Sequence, residues 1–114
     1  IPSELPKVTP SPDASDAEAL ARRLRAAAVG VGLSEAMLFG FTSPEALASV
    51  GAPPAHVVLA NPLAQQQSVM RTSLLPGLLE AVGRARRHGE RDAALFAVGR
   101  LFFPAQAAPA GPSE

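Results

Sequence analysis

The chain has no cysteine, which excludes a disulfide scaffold and any thiolate metal site and is compatible with a reducing cytoplasm. Charge of either sign is not in excess. Ten basic and ten acidic residues cancel, so the whole molecule lacks the polyelectrolyte signature of a nucleic-acid binder. Lysine is almost missing: nine of the ten cations are arginine, which together with heavy alanine usage reflects genome composition first and physics second. No apolar run approaches the roughly 20 residues that span a bilayer, so no membrane partner is expected. The opening, IPSELPKVTP, has neither a methionine nor the charged-then-apolar order of a signal peptide. At the other end PAQAAPAGPSE has nothing to bury. The chain reads as a slice of a larger polypeptide.

What is present suffices for one domain. The chain has 114 residues, 47% of them hydrophobic, enough for a core and too short for two comfortable domains. Residues 1–14 carry Pro2, Pro6, Pro10 and Pro12, which forbid a helix and predict an extended linker. Ser15-Asp16-Ala17-Glu18 fits a capping box. Behind it Leu20, Leu24, Ala27, Ala28 and Val31 recur at helical spacing, with Glu18 and Arg22 as a favourable i,i+4 pair, until Gly30 and Gly32 stop the helix. Residues 35–43 predict a strand, Ser43-Pro44-Glu45 caps a short helix closed by Gly51, and 56–60 (HVVLA) predicts a second strand ended by Asn61-Pro62. A short strand over 68–71 leads into a helix over 74–87, with Leu74, Leu75, Leu78, Leu79 and Val82 on one face and Gly89 beyond its end. Residues 93–103 form the longest strand candidate, apolar on both faces as in a covered sheet. Residues 15–104 thus form the folded part, a sheet covered by helices, and 105–114 a Pro/Ala-rich tail.

Few residues carry obvious chemistry. Gly30-Val31-Gly32 hints at a dinucleotide loop, but these glycines close a helix, and Glu35 stands where the third glycine belongs. His56 and His88 have no acidic residue at ligand spacing. Ser68, Thr72 and Ser73 lack the Gly-x-Ser-x-Gly frame and are expected to do capping or turn duty. Two features stand out. Arg71 sits where a strand meets a helix start, a place suited to holding a phosphate or a carboxylate. Residues 84–91, RARRHGER, place Arg84, Arg86, Arg87 and Arg91 at a helix end. There they complement the helix dipole or touch RNA phosphates, with no interleaved aromatic to stack on bases.

Taken together, ANPLAQQQSVMRTSLLPGLLEAVGRARRHG and LFAVGRLFFP resemble the β subunit of bacterial phenylalanyl-tRNA synthetase. Asn61-Pro62, Ser68, Met70-Arg71, Ser73-Leu74 and Gly77-Leu78-Leu79 follow that family's order, and GLSEAMLFGFTSPEAL is similar to another of its segments. The resemblance implies an α+β fold, an antiparallel sheet flanked by helices in the manner of class II aminoacyl-tRNA synthetases, of which this chain is a partial core. It likens the helix and strand of 16–42 to the class II dimerisation motif. Catalytic members place an arginine and a glutamate where this sequence has Phe103 and Ala105, and an apolar ring cannot hold a phosphate.

The resemblance therefore implies a non-catalytic structural and assembly module of a cytoplasmic phenylalanine–tRNA ligase. Its partners are the α subunit, a second β subunit and tRNA in a two-α, two-β complex. ATP and magnesium serve that complex, the β subunit's magnesium ligands lie upstream of residue 1, and this region binds no cofactor. Arg71, Arg100, Leu20 and Leu24 are then structural or subunit contacts. Two alternatives stay open: an active nucleotide-binding enzyme in which Arg71 and Arg100 hold phosphate, and a free-standing RNA-binding module using the 84–91 cluster.

Overall fold

Helix α1 (Asp16–Gly30) begins where the sequence says it should, in a computed structural model that describes residues 15–104. The expected linker of 1–14 and tail of 105–114 lie outside the described residues. The capping box is formed in both directions: Ser15 Oγ accepts from the Glu18 amide at 3.3 Å, and the Ser15 amide donates to Glu18 Oε2 at 3.0 Å. Such a cap stabilises a helix by about 0.5–2 kcal/mol. Glu18 is thereby engaged at the cap, and the expected Glu18–Arg22 pair is absent. Gly32, at φ +90°, closes the helix, with the Leu33 amide reaching back to the Ala28 carbonyl at 3.1 Å.

The expected strand over 35–43 is two strands. Its first part, β1 (Ser34–Glu35), pairs in parallel with β4 (Leu95–Phe96), while its second, β2 (Phe41–Thr42), pairs antiparallel with β3 (Val69–Met70). The chain changes partners between them. The Ala36 amide still donates to the Phe96 carbonyl at 2.8 Å, whereas the Gly40 carbonyl accepts from Arg71 at 2.9 Å. The all-antiparallel sheet is corrected in the same way. β1 follows α1, and the connection from β1 to β4 contains two α-helices, long enough for a parallel crossover.

The strand expected at 56–60 reduces to one bridge, Val58 opposite Val69, flanked by bonds from the Leu59 amide to Ser68 and from Met70 to Val57. The long strand expected at 93–103 is regular only at Leu95–Phe96. Residues 97–104 bond to the rest through particular atoms and build no ladder there.

Among the described residues the two remaining α-helices are α2 (Pro44–Ser49), capped by Ser43, and α3 (Leu75–Arg87), which lies along β4. Among the described residues few are buried: Leu47 of α2, Val69 of β3 and Thr72, at 1–3% exposure. Leu38 rests on α3 at Gly77, where an added Cβ would meet its Cδ1 at 3.1 Å. The apolar face drawn for α3 is only partly turned inward. Leu74, Leu78 and Val82 are half-buried, while Leu75 and Leu79 are exposed.

Candidate functional site

Arg71 follows β3 directly and precedes the first turn of α3. Its amide completes the β2–β3 pairing through Gly40, and its carbonyl accepts from the Phe102 amide at 3.0 Å. The side chain then joins the same two segments. Nε donates to the Arg100 carbonyl at 2.9 Å and Nη1 to the Phe39 carbonyl at 3.0 Å. Nη2 lies against Gly99, whose lack of a side chain makes the seat; a Cβ there would collide with the guanidinium. Burial lowers the Arg71 pKa from its ordinary value, because desolvation disfavours the charged form. No carboxylate pairs with it among the described residues. The fork geometry of arginine suits this task, since one planar cation reaches two carbonyls from two separate segments.

Thr72, next in sequence, is not a turn or cap residue. Its hydroxyl is buried and donates to the carbonyl of Pro53, tying the loop after α2 to the α3 junction. Ser73 does turn duty just ahead of α3, its Oγ accepting from the Leu75 amide at 3.1 Å. Ser73, Pro76 and Gly77 line a cavity of about 370 Å³ together with Arg71, Gln67 and Phe41.

Arg100 does not converge with Arg71. Only its backbone carbonyl meets the Arg71 guanidinium; its exposed side chain lines a different groove, of about 610 Å³, with Ala21, Arg22 and Arg25 of α1. Phe103 is half exposed, its ring 6.4 Å from that of His56. Among the described residues no three His, Cys, Asp or Glu side chains come together as metal ligands. Among the same residues no helix is long and apolar enough to cross a membrane.

Helix α1 turns an unexpected face to its own domain. Ala21, Arg25 and Ala28 face inward, and Arg25 Nε meets Glu35 Oε1 at 2.8 Å, holding α1 to β1. Small alanines let the helix approach closely. The larger residues, one step around the helix, point out: Leu20 is 56% exposed, Leu24 50% and Val31 77%. No α1 residue is buried.

Arg84, Arg86, Arg87 and Arg91 are all exposed at the end of α3. Arg84 lies 3.8 Å from Glu80, a pair worth less than about 1 kcal/mol in solvent.

Sequence reasoning found Arg71 but not its partners, which are backbone carbonyls with no side-chain signal. Gly99 and Thr72 were also missed as parts of this junction. The glycine before Arg100 offered a faint cue; Thr72 offered none, because Pro53 is 19 positions away.

The full chain, residues 1–114, matches the family described as the phenylalanyl tRNA synthetase beta chain CLM domain. It is similar to the phenylalanine–tRNA ligase beta subunit of Moorella thermoacetica, 42% identical over 86 residues, 71% of this chain and 11% of that protein. The beta subunit of Geobacter sulfurreducens is 41% identical over 87 residues, 72% and 11%, and that of Streptomyces avermitilis 37% over 109 residues, 91% and 13%. The chain thus spans 11–13% of the length of these relatives.

Proposed function

The chain belongs to the phenylalanyl-tRNA synthetase beta chain CLM domain family, and from that premise we propose that it is a non-catalytic assembly module of a phenylalanine–tRNA ligase. It joins the beta subunit to the alpha subunit, which carries the chemistry of attaching phenylalanine to tRNA with ATP and magnesium. The complex works in the cytoplasm, with a second beta subunit completing it. One observation carries the reading: the apolar stripe of α1, Leu20, Leu24 and Ala27, continued by Val31 at its C-terminal cap, is exposed along the helix. A helix of this length is marginal without a packed face, and a contiguous apolar stripe is what helix-to-helix docking between subunits requires.

Two features support the absence of catalysis here. The Arg71 donors are aimed at carbonyls, and Arg100 opens on a separate groove. A nucleotide held by both arginines would need them on one cavity.

The test is co-elution of the chain with the alpha subunit from the same source in size-exclusion chromatography, with the beta subunit of a relative as positive control. A stable complex supports the proposal; independent elution at micromolar concentrations of both refutes it.

A further inference from the structure

The assembly reading leaves unexplained the arginines at the end of α3, and from them we propose that this end of the helix is a contact surface for the RNA sugar–phosphate backbone. Four of the nine arginines fall within residues 84–91. The ordinary duty of cations at such a place is to satisfy the last carbonyls of the helix. Here backbone amides already do so. His88 donates to the Arg84 and Ala85 carbonyls, Gly89 to Arg86 and Glu90 to Ala85, all at 3.0–3.2 Å. The guanidinium groups are therefore not required for that duty, and all four arginines are exposed. Among the described residues Arg86, Arg87 and Arg91 meet no carboxylate within salt-bridge distance, and Arg84 has only the loose pair with Glu80.

Composition then decides between RNA and protein as partner. A protein interface is built around aromatic or aliphatic anchors, yet residues 83–92 contain no apolar side chain larger than Ala85. Arginine forks without such an anchor match phosphate oxygens, which they can grip bidentately. With no aromatic among these residues to stack on a base, the contact is to the backbone and independent of sequence. The chain as a whole is neutral, so binding has to come from this patch and not from a general positive field. The proposal does not rest on the assembly reading.

Fluorescence anisotropy of labelled tRNA, titrated with the full chain across a potassium chloride series, tests it. Each phosphate neutralised contributes about 0.7–0.9 to the slope of log K against log salt. The variant with Arg84→Gln, Arg86→Gln, Arg87→Gln and Arg91→Gln should lose about 3 units of that slope. Arg22→Gln with Arg23→Gln, an equal kind of change on exposed α1 cations, should leave the slope unchanged. Far-UV circular dichroism checks that each protein is folded. If the fourfold variant is not, Arg86→Gln with Arg91→Gln replaces it, with an expected loss of about 1.5 units. A wild-type chain that fails to bind at 20–50 mM salt overturns the proposal. So does a patch variant that keeps the wild-type slope, or a control pair that loses as much as the patch.

Discussion

Replacing Arg71 by methionine removes one charge and the side-chain donors of the guanidinium while keeping the apolar stem. Two hydrogen bonds go, from Nε to the Arg100 carbonyl and from Nη1 to the Phe39 carbonyl. A bond from a charged donor contributes about 1.5–3 kcal/mol when shielded, and an acceptor left unpaired in the interior costs about 1–3 kcal/mol. Arg71 is half-buried, and water can reach part of the junction, so solvent screening brings each bond down to about 1 kcal/mol and the two together to about 2 kcal/mol. For a folded region of this size that corresponds to a fall in Tm of about 8–16 °C. Urea unfolding followed by far-UV circular dichroism gives the free energy. Amide exchange gives the place: the Arg71 and Phe102 amides, bonded across the junction, should lose protection while the Leu59 amide keeps it. Arg71→Lys restores charge without the fork and should recover less than half of the loss. A methionine variant within about 0.3 kcal/mol of the wild type, with exchange unchanged, would refute the idea that this guanidinium ties the two segments together.

Three further outcomes follow from the same geometry. Thr72→Val keeps the shape of a buried side chain but strands the Pro53 carbonyl, so urea unfolding should show a loss of about 1–3 kcal/mol, against almost none for Thr42→Val on the half-buried β2. Gly99→Ala places a methyl in the seat of the Arg71 guanidinium and should cost about 1–3 kcal/mol. In the Arg71→Met background most of that cost should vanish, and a double-mutant cycle reads the coupling directly. The chain alone should not exchange pyrophosphate into ATP in the presence of phenylalanine, a reaction followed with labelled pyrophosphate against a buffer blank.

Legibility in the sequence followed the range of each interaction. The ends of α1 and α2 were plain because their caps act within three residues: Ser15 with Glu18, and Ser43 with the Ala46 amide. The strands were legible as extended segments and misjudged in length and partner. What ends β1 and starts β2 is the change from Phe96 to Arg71 as hydrogen-bond partner, a choice made by residues 30 or more positions away. Periodicity also placed the leucines of α1 correctly on one stripe, yet it could not say which stripe meets the domain. Close approach favoured alanines there, and an ion pair with Glu35 locked Arg25 inward. Arg71 was conspicuous as a lone cation in an apolar run, but carbonyl partners leave no mark in a sequence. That Arg71 and Arg100 open on different cavities required coordinates, because their separation in sequence is compatible with either arrangement.

The measurement closest to the central claim is the affinity of the alpha subunit for this chain with Leu20→Glu and Leu24→Glu together, read beside the stability of the chain alone. Both leucines are half exposed or more, so the change should leave unfolding in urea within about 0.5 kcal/mol per site. Covering them in a subunit interface is worth about 1 kcal/mol or more each, so association should weaken on the order of 10- to 100-fold. An affinity equal to that of the wild type, or a loss of folding that matches the loss of association, would contradict the assignment of α1 as the assembly face.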